Sequence, residues 1–429
     1  MLSQRTQLRP TYRVPSLVFT PMRKLGKKLI VRAEGNFKPE EFGLAPAKPK
    51  TAYGEMLAYY LRMEPQLFKA AVEDQLQRLK QEKEEKEKQK LQLTDSSKRQ
   101  DSAEIILSRR MDEVRAAEVA ETLEDLMYVS ILEKFVLLRV EMLPRLDGLV
   151  DVGPINLTAL TEGIHSKEAL ELVKEHILGV MGPVTTTQFS NVAVKMSTFQ
   201  MAQVYAASIM FGYFLRRVDK RFQLERALGT LPMSKEDAVA RLEKLFSMAN
   251  DEEMNISSDS DSEGASRSSS SSDGRSTSSS SSSSNLPVKK EKSALKRYVE
   301  SFDQATMVET ARIVSTEGAA LVERQTAAVL GDIKKLTQQI QSAVGKDVTS
   351  MEQVMERMAK AVEKDEIQTV TMSVGTQRRA VLEAVAFGTF LRDVETWVQT
   401  EYSLLTPLPP PQIRRRNNDD DSRDGSISV

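Results

Sequence analysis

Two blocks of this sequence recur on the far side of a serine tract at constant spacing, and that self-similarity restricts the fold more than any other feature. Ser166-Lys167-Glu168-Ala169, Leu172-Val173 and Val180-Met181-Gly182 reappear 149 residues later as Ser315-Thr316-Glu317-Gly318, Leu321-Val322 and Val329-Leu330-Gly331. Met196-Ser197 and Phe211-Gly212-Tyr213-Phe214-Leu215-Arg216 with Val218 reappear 176 residues later as Met372-Ser373 and Phe387-Gly388-Thr389-Phe390-Leu391-Arg392 with Val394. Two ordered blocks with one length change between them describe two related halves. Each half reads as a helix closed by a glycine (Gly182, Gly331), a variable connection, a short extended stretch and a second helix. Val192, Val194 and Met196 alternate with polar residues, as do Val370, Met372 and Val374, which is strand periodicity over a short span. The expected fold is mainly α, with two pseudo-repeated halves and a minimal two-stranded sheet joining them.

In the second helices, Ser208 with Gly212 and Ala384 with Gly388 put small residues four apart on one face, which admits another backbone closely. A glycine inside a helix costs about 1 kcal/mol relative to alanine, so its recurrence at equivalent positions points to repeat packing, with the helices crossing near Gly212 and Gly388. Ser197 or Thr198, and Ser373 or Thr376, are the candidate N-caps of these helices. The longest periodic segment, Ser102 to Met142, strings Leu107, Met111, Val114, Leu123, Leu126, Met127, Ile131, Leu132, Phe135, Leu138 and Met142 along one broad stripe and reads as the spine for the other helices. Upstream, one helix begins near Thr51 or Tyr53. Another starts at Pro65, with Leu67, Ala71, Val72, Leu76 and Leu79 on its apolar face before a charged run from Lys80 to Lys90.

Residues 1–33 hold eight bases and no acid, so with a net charge of -1 overall the remainder carries -9. That opening, rich in Arg and hydroxyl residues, has the profile of an organelle transit peptide. Residues 34–50 read as an extended segment, 51–249 as a helical region containing the first half-repeat, and 293–406 as the second half, packing with the first as one domain. Between them, 250–292 is too rich in Ser, Asp and Gly to offset the entropy of ordering and reads as a disordered linker, as does the tail 407–429. Ser258 and Ser260 each stand three residues before an acid, which makes them candidate phosphorylation sites. An acidic body disfavours nucleic acid as a partner, and no apolar run reaches the roughly 18 to 20 residues of a spanning helix.

Cysteine is absent, which removes disulfides, zinc-thiolate sites and cysteine nucleophiles. Neither a glycine-rich phosphate loop nor a dinucleotide fingerprint is present. The only histidines, His165 and His176, are eleven residues apart and fit one helix face. Glu162 and His165 have the Glu-x-x-His spacing of di-iron proteins, but those need a second such motif, and the other half carries Ala311 and Val314 there. Both histidines are candidate binding residues, together with the basic cluster Arg216, Arg217, Lys220 and Arg221. Asp219 and Glu225 interleave with that cluster, so ion pairing along the helix is the simpler account. No catalytic residue, metal site or cofactor is expected.

The segments Thr122-Leu123-Glu124-Asp125-Leu126-Met127, Ile164-His165-Ser166-Lys167-Glu168-Ala169, Val204-Tyr205-Ala206-Ala207-Ser208, Tyr213-Phe214-Leu215-Arg216-Arg217-Val218-Asp219 and Leu382-Glu383-Ala384-Val385-Ala386-Phe387-Gly388 resemble the plant and algal UV-B-induced chloroplast protein family. That family's shared domain has no known function. The resemblance runs from about Tyr53 to Tyr402 and implies chloroplast targeting, with the stroma as the expected compartment. It supplies no reaction, cofactor or catalytic residue. The expected function is a non-catalytic chloroplast protein that acts by protein–protein interaction with unidentified partner proteins, in a stress response or in organelle proteostasis. One alternative is a small-ligand or cofactor-binding protein, an enzyme included, with its site between the two halves. Another is an RNA-binding protein using Arg216 and Arg217.

Overall fold

The structure, a computed structural model, describes residues 46–96, 102–150, 157–182, 191–231, 243, 293–345, 351–364 and 366–409. The transit segment, Ser258, Ser260 and the tail beyond Pro409 lie outside the described residues. The chain divides into two compact units, Met1–Val218 with Asp303–Val429, and Asp219–Phe302. In chain order the elements are α1 (Ala52–Met63), α2 (Pro65–Ser96), α3 (Ser102–Leu137), β1 (Gly148–Val150), α4 (Lys167–Met181), β2 (Ala193–Ser197), α5 (Thr198–Leu228), α6 (Ala294–Glu300), α7 (Gln304–Ala311), α8 (Thr316–Leu330), α9 (Ile333–Val344), α10 (Met351–Glu363), β3 (Thr369–Ser373) and α11 (Val374–Tyr402). The fold is mainly α.

The repeat spacing maps element onto element. A shift of 149 carries α4 onto α8 at both ends, and a shift of 176 carries β2 onto β3 and the start of α5 onto the start of α11. Local chemistry sets these boundaries. Ser166 and Ser315 cap α4 and α8 by accepting from Ala169 N and Gly318 N, both at 3.1 Å. Both helices stop at glycines with positive φ, Gly182 at 69° and Gly331 at 94°, a region that side chains avoid. Ser197 and Ser373 accept from Gln200 N and Thr376 N at 3.1 Å and turn each strand directly into a helix.

β2 and β3 pair antiparallel with Lys195 opposite Thr371, its own repeat equivalent. The neighbouring pairs, Val194 with Met372 and Met196 with Val370, exchange under the repeat. So do the flanking bonds from Val374 N to Val192 O (3.0 Å) and from Thr198 N to Gln368 O (2.9 Å). Reciprocal contact of this kind is the signature of a two-fold axis, which passes between Lys195 and Thr371. A third strand, β1, joins the other edge of β3 in parallel, giving the order β1-β3-β2. The sequence pattern missed it because three residues are too few to display alternation.

The second part of the long periodic segment is a spine on which α1, α8 and α11 pack, and α11 is a second one. Every residue from Arg379 to Leu391 is buried, as expected of a helix packed on all sides. Only the second part of α3 reaches it, with Phe135 edge-on to Phe390 at 5.2 Å and Tyr128 tilted against Phe387 at 6.3 Å. On α2 the apolar face turns by one position: Phe68 is buried and Leu67 exposed, while Val72, Leu76 and Leu79 are core. The charged run after them has a use at its start, where Lys80 and Lys83 donate to Glu401 O (3.2 Å) and Ser403 O (2.7 Å) at the negative end of α11.

In the second unit, Phe222 meets Tyr298 at 5.5 Å, Tyr298 packs edge-on to Phe302 at 4.9 Å, and Arg221 lies over the Phe302 ring. Leu295 completes this small apolar cluster.

Candidate functional site

The small residues of the second helices mark a close crossing. A Cβ on Gly212 would stand 2.0 Å from Val385 O, and one on Gly388 would stand 1.9 Å from Ile209 O. Ile209 and Val385 are themselves repeat equivalents, so this contact obeys the same two-fold as the strands. Thr389 Oγ1 shares its hydrogen between Val385 O on its own helix (3.0 Å) and Gly212 O across the crossing (3.3 Å). Backbone lies against backbone here, which leaves no volume for a ligand at these two positions. Ala384 is fully buried on α11.

Ser208 is occupied differently. Its hydroxyl donates to Val204 O at 2.8 Å, so it accepts from His176 Nε2, 3.0 Å away. The His176 ring stacks on Phe211, with centroids 4.2 Å apart and planes within 4°. A serine nucleophile needs its histidine as proton acceptor; here the proton runs the other way and Ser208 is fully buried. His165 sits just ahead of the α4 N-cap, not on the helix with His176, and pairs in an isolated bridge with Glu162. Shared helical spacing misled because Ser166 starts the helix one residue later.

Burial lowers the His176 pKa to about 4. A folded-state value below the ordinary 6.5 means that its contribution to stability is complete above pH 6.5 and is lost as pH falls toward 4. We expect at most roughly 3 kcal/mol of stability to disappear over that window. Denaturant titrations at stepped pH should show this slope in the unsubstituted protein and lose it in His176→Gln, which introduces the side chain found at the equivalent Gln325.

The basic cluster divides between the units. Arg216 forms a two-pronged ion pair with Asp393 (2.9 Å for both bonds) and reaches Ile164 O. Arg217 Nη1 donates to Glu309 O, Thr310 O and Arg312 O, closing the carbonyl end of α7. Arg221 pairs with Glu225 at 2.8 Å, and Lys220 is exposed. Arg216 and Arg217 are thereby committed to protein groups.

Three buried acids escape sequence reasoning because their partners are remote in the chain. Asp125, fully buried, accepts from Lys50 N, Thr51 N, Thr51 Oγ1 and Arg324 Nη1, all within 2.8 Å. It presses against Gly54, where a Cβ would stand 2.5 Å from its Oδ2. Glu395 accepts from Ser315 N and Oγ, Tyr213 Oη and Arg392 Nη1, tying the α8 N-cap to α11. Glu383 accepts from Leu143 N at 2.8 Å and Tyr205 Oη at 3.4 Å, and burial raises its pKa to about 7.

Two features face outward. A cavity of about 150 Å³ is lined by Phe68, Val72, Glu133, Lys134 and Trp397 among others. The first part of α3 bares Ile106, Leu107, Met111 and Val114, which are 59%, 61%, 65% and 60% exposed. Leu107, Met111 and Val114 belong to the periodic stripe of the sequence, but they lie past the packed part of the helix. Among the described residues no group of three or more His, Cys, Asp or Glu could hold a metal ion, and no described helix is long and apolar enough to cross a membrane.

Comparison with known proteins gives two matches. A family model described as a protein of unknown function (DUF760) matches residues 74–228. The chain is 28% identical over 412 residues to a UV-B-induced chloroplastic protein of Arabidopsis thaliana, an alignment that covers 94% of this chain and 88% of the relative. No solved structure matches.

Proposed function

We propose that this chain, which is similar to a UV-B-induced chloroplastic protein and matches in part a domain of unknown function, works in the chloroplast stroma as a non-catalytic interaction protein, in the stress response that the relative's name points to or in organelle proteostasis. The observation that carries this reading is the bared row on α3. Four large apolar side chains lie within nine residues of one helix, each more than half exposed, whereas the apolar residues of the same helix from Leu123 to Phe135 are core. Scattered exposed apolar residues are ordinary, but a contiguous set marks a place where a partner removes surface from water. Charged neighbours frame the row, including Arg115, which pairs with Glu82 at 2.6 Å and Glu118 at 3.0 Å. Such exposed pairs add little stability, and their use here is to keep the row soluble until it is covered.

The test is Leu107→Asp with Met111→Asp. Neither side chain is packed, so the melting temperature should stay within about 2 °C, while cross-linked partners recovered from intact chloroplasts should fall at least tenfold. An unchanged partner set with a folded variant would refute the reading.

A further inference from the structure

One hydrogen-bonded chain runs through the protein in a single direction. Ala47 N–H donates to Tyr128 Oη (3.3 Å), Tyr128 O–H to Gln325 Oε1 (3.0 Å), Gln325 Nε2–H to Tyr205 Oη (3.1 Å), and Tyr205 O–H to Glu383 Oε1 (3.4 Å). It starts in the segment ahead of α1, crosses α3, α8 and α5, and ends on α11. Tyr128, Gln325, Tyr205 and Glu383 are all fully buried. Burial raises the pKa of both tyrosines well above the ordinary value, so they act as hydroxyls throughout. Two ends of the chain cannot turn round. Ala47 N is a backbone donor, and Leu143 N, also a backbone donor, holds the other oxygen of Glu383.

We infer that Glu383 is a proton-operated latch for the segment leading into α1, holding Ala47 docked when ionised and releasing it when protonated. Leu143 N–H occupies Oε2, so an added proton takes Oε1 and faces Tyr205. Tyr205 must then accept from Glu383 and send its own hydrogen to Gln325. Gln325 obliges only by turning its amide, which aims Nε2–H at Tyr128. The Tyr128 hydrogen now has no acceptor and meets Ala47 N–H, donor against donor. Protonation at one end thus breaks the contact at the other, through groups that each have two orientations and no third.

The groups around the carboxyl suit this use. Arg379, one turn earlier on α11 and 3% exposed, supplies the guanidinium that, among the described residues, draws Glu383 toward its charged form; its Nη2 goes to Glu141 O, and Nε and Nη1 have no hydrogen-bond partner. Glu141 acts on Arg379 from the loop after α3. At the outer end, Arg324 lies over the Tyr128 ring at 4.8 Å and pairs with Asp125. Burial pushes Glu383 up toward neutrality while Leu143 N–H, Arg379 and Tyr205 pull it down, leaving a carboxyl that changes state near pH 7 rather than near 4.5. Release is local. Lys48 O stays on Arg324 Nη2 and Lys50 N on Asp125, so the contact released is that of Ala47.

The chain has no cysteine, so a nitroxide placed on Ala47→Cys in the full-length protein reports on this segment alone and leaves the residue's backbone N–H in place. Its mobile fraction should rise as pH is lowered from 8.5 to 6, with a midpoint near 7. One unit either side of that midpoint the two forms stand at about ten to one. Glu383→Gln, with an amide donor in place of the proton, should leave the label mobile at every pH. Tyr205→Phe keeps the carboxyl but cuts the relay, and should abolish the titration even if Glu383→Gln folds poorly. A label whose mobility ignores pH, or one that titrates equally in Tyr205→Phe, would overturn the latch.

Discussion

Gly388→Ala should cost the protein its fold, with at least 4 kcal/mol of stability lost. Helix propensity argues for the opposite sign, since alanine is about 1 kcal/mol better than glycine inside a helix. Sterics decide the matter. The new Cβ would lie 1.9 Å from Ile209 O and 2.8 Å from Tyr213 N, and neither backbone group can move without its helix. Separating α5 from α11 by the ångström or more required would open gaps along a helix that is buried on all sides; overpacking a core typically costs about 1–3 kcal/mol, and the cost here is larger because two backbones rather than a side chain must give way. Urea unfolding followed by circular dichroism measures it. Gly212→Ala should behave alike, and the double variant should cost less than the sum, because one separation relieves both clashes. Gly179→Ala is the control: nothing lies within 4 Å of its Cβ, so it should be neutral or stabilising by up to about 1 kcal/mol.

The second large effect is expected at Glu395. Glu395→Ala should destabilise by roughly 3 to 5 kcal/mol, the usual result of removing one partner from a buried ionic cluster. Four donors lose their acceptor at once: Ser315 N (3.0 Å), Ser315 Oγ (2.5 Å), Tyr213 Oη (2.5 Å) and Arg392 Nη1 (2.8 Å). Tyr213 would report the change, since burial and then the Glu395 charge push its hydroxyl up to about 12. Its spectrophotometric titration should move down in Glu395→Gln, which removes the charge while preserving shape. Hydrogen exchange at the first turn of α8 should accelerate in both variants, because Ser315 caps that turn. Full stability in Glu395→Ala would show that water replaces the carboxylate at no cost.

Periodicity and self-similarity made the mainly helical class and the joining of β2 to β3 readable in the sequence, because both are written in short-range pattern. The ends of α4 and α8 were legible for a local reason, the glycine that closes each helix, whereas the serines that cap their starts stood out only as part of the repeat. The buried acids were not. Glu383 and Glu395 sit on α11 at positions that helical spacing would assign to a solvated face, and only groups from distant parts of the chain, such as Leu143, Tyr213 and Ser315, make their burial tolerable. α3 failed in the opposite sense. Its apolar period continues through Leu107 and Met111, but the body it packs against does not extend that far. Among the candidate site residues, spacing brought His165 and His176 together where the structure separates them, and nothing in the pattern joined His176 to Ser208.

The reciprocal contacts between the halves have a further consequence for what such a molecule can become. Two identical subunits meeting on a two-fold must carry every feature twice, so a costly buried carboxylate near the axis would appear in both or in neither. Joining the copies in one chain lifts that degeneracy. Position 383 is glutamate while its counterpart is Ala207, and His176 answers to Gln325. The shared scaffold stays constrained where Gly212 and Gly388 touch, and the two sides have divided their labour elsewhere, one remaining apolar and the other free to hold a single, asymmetric charge.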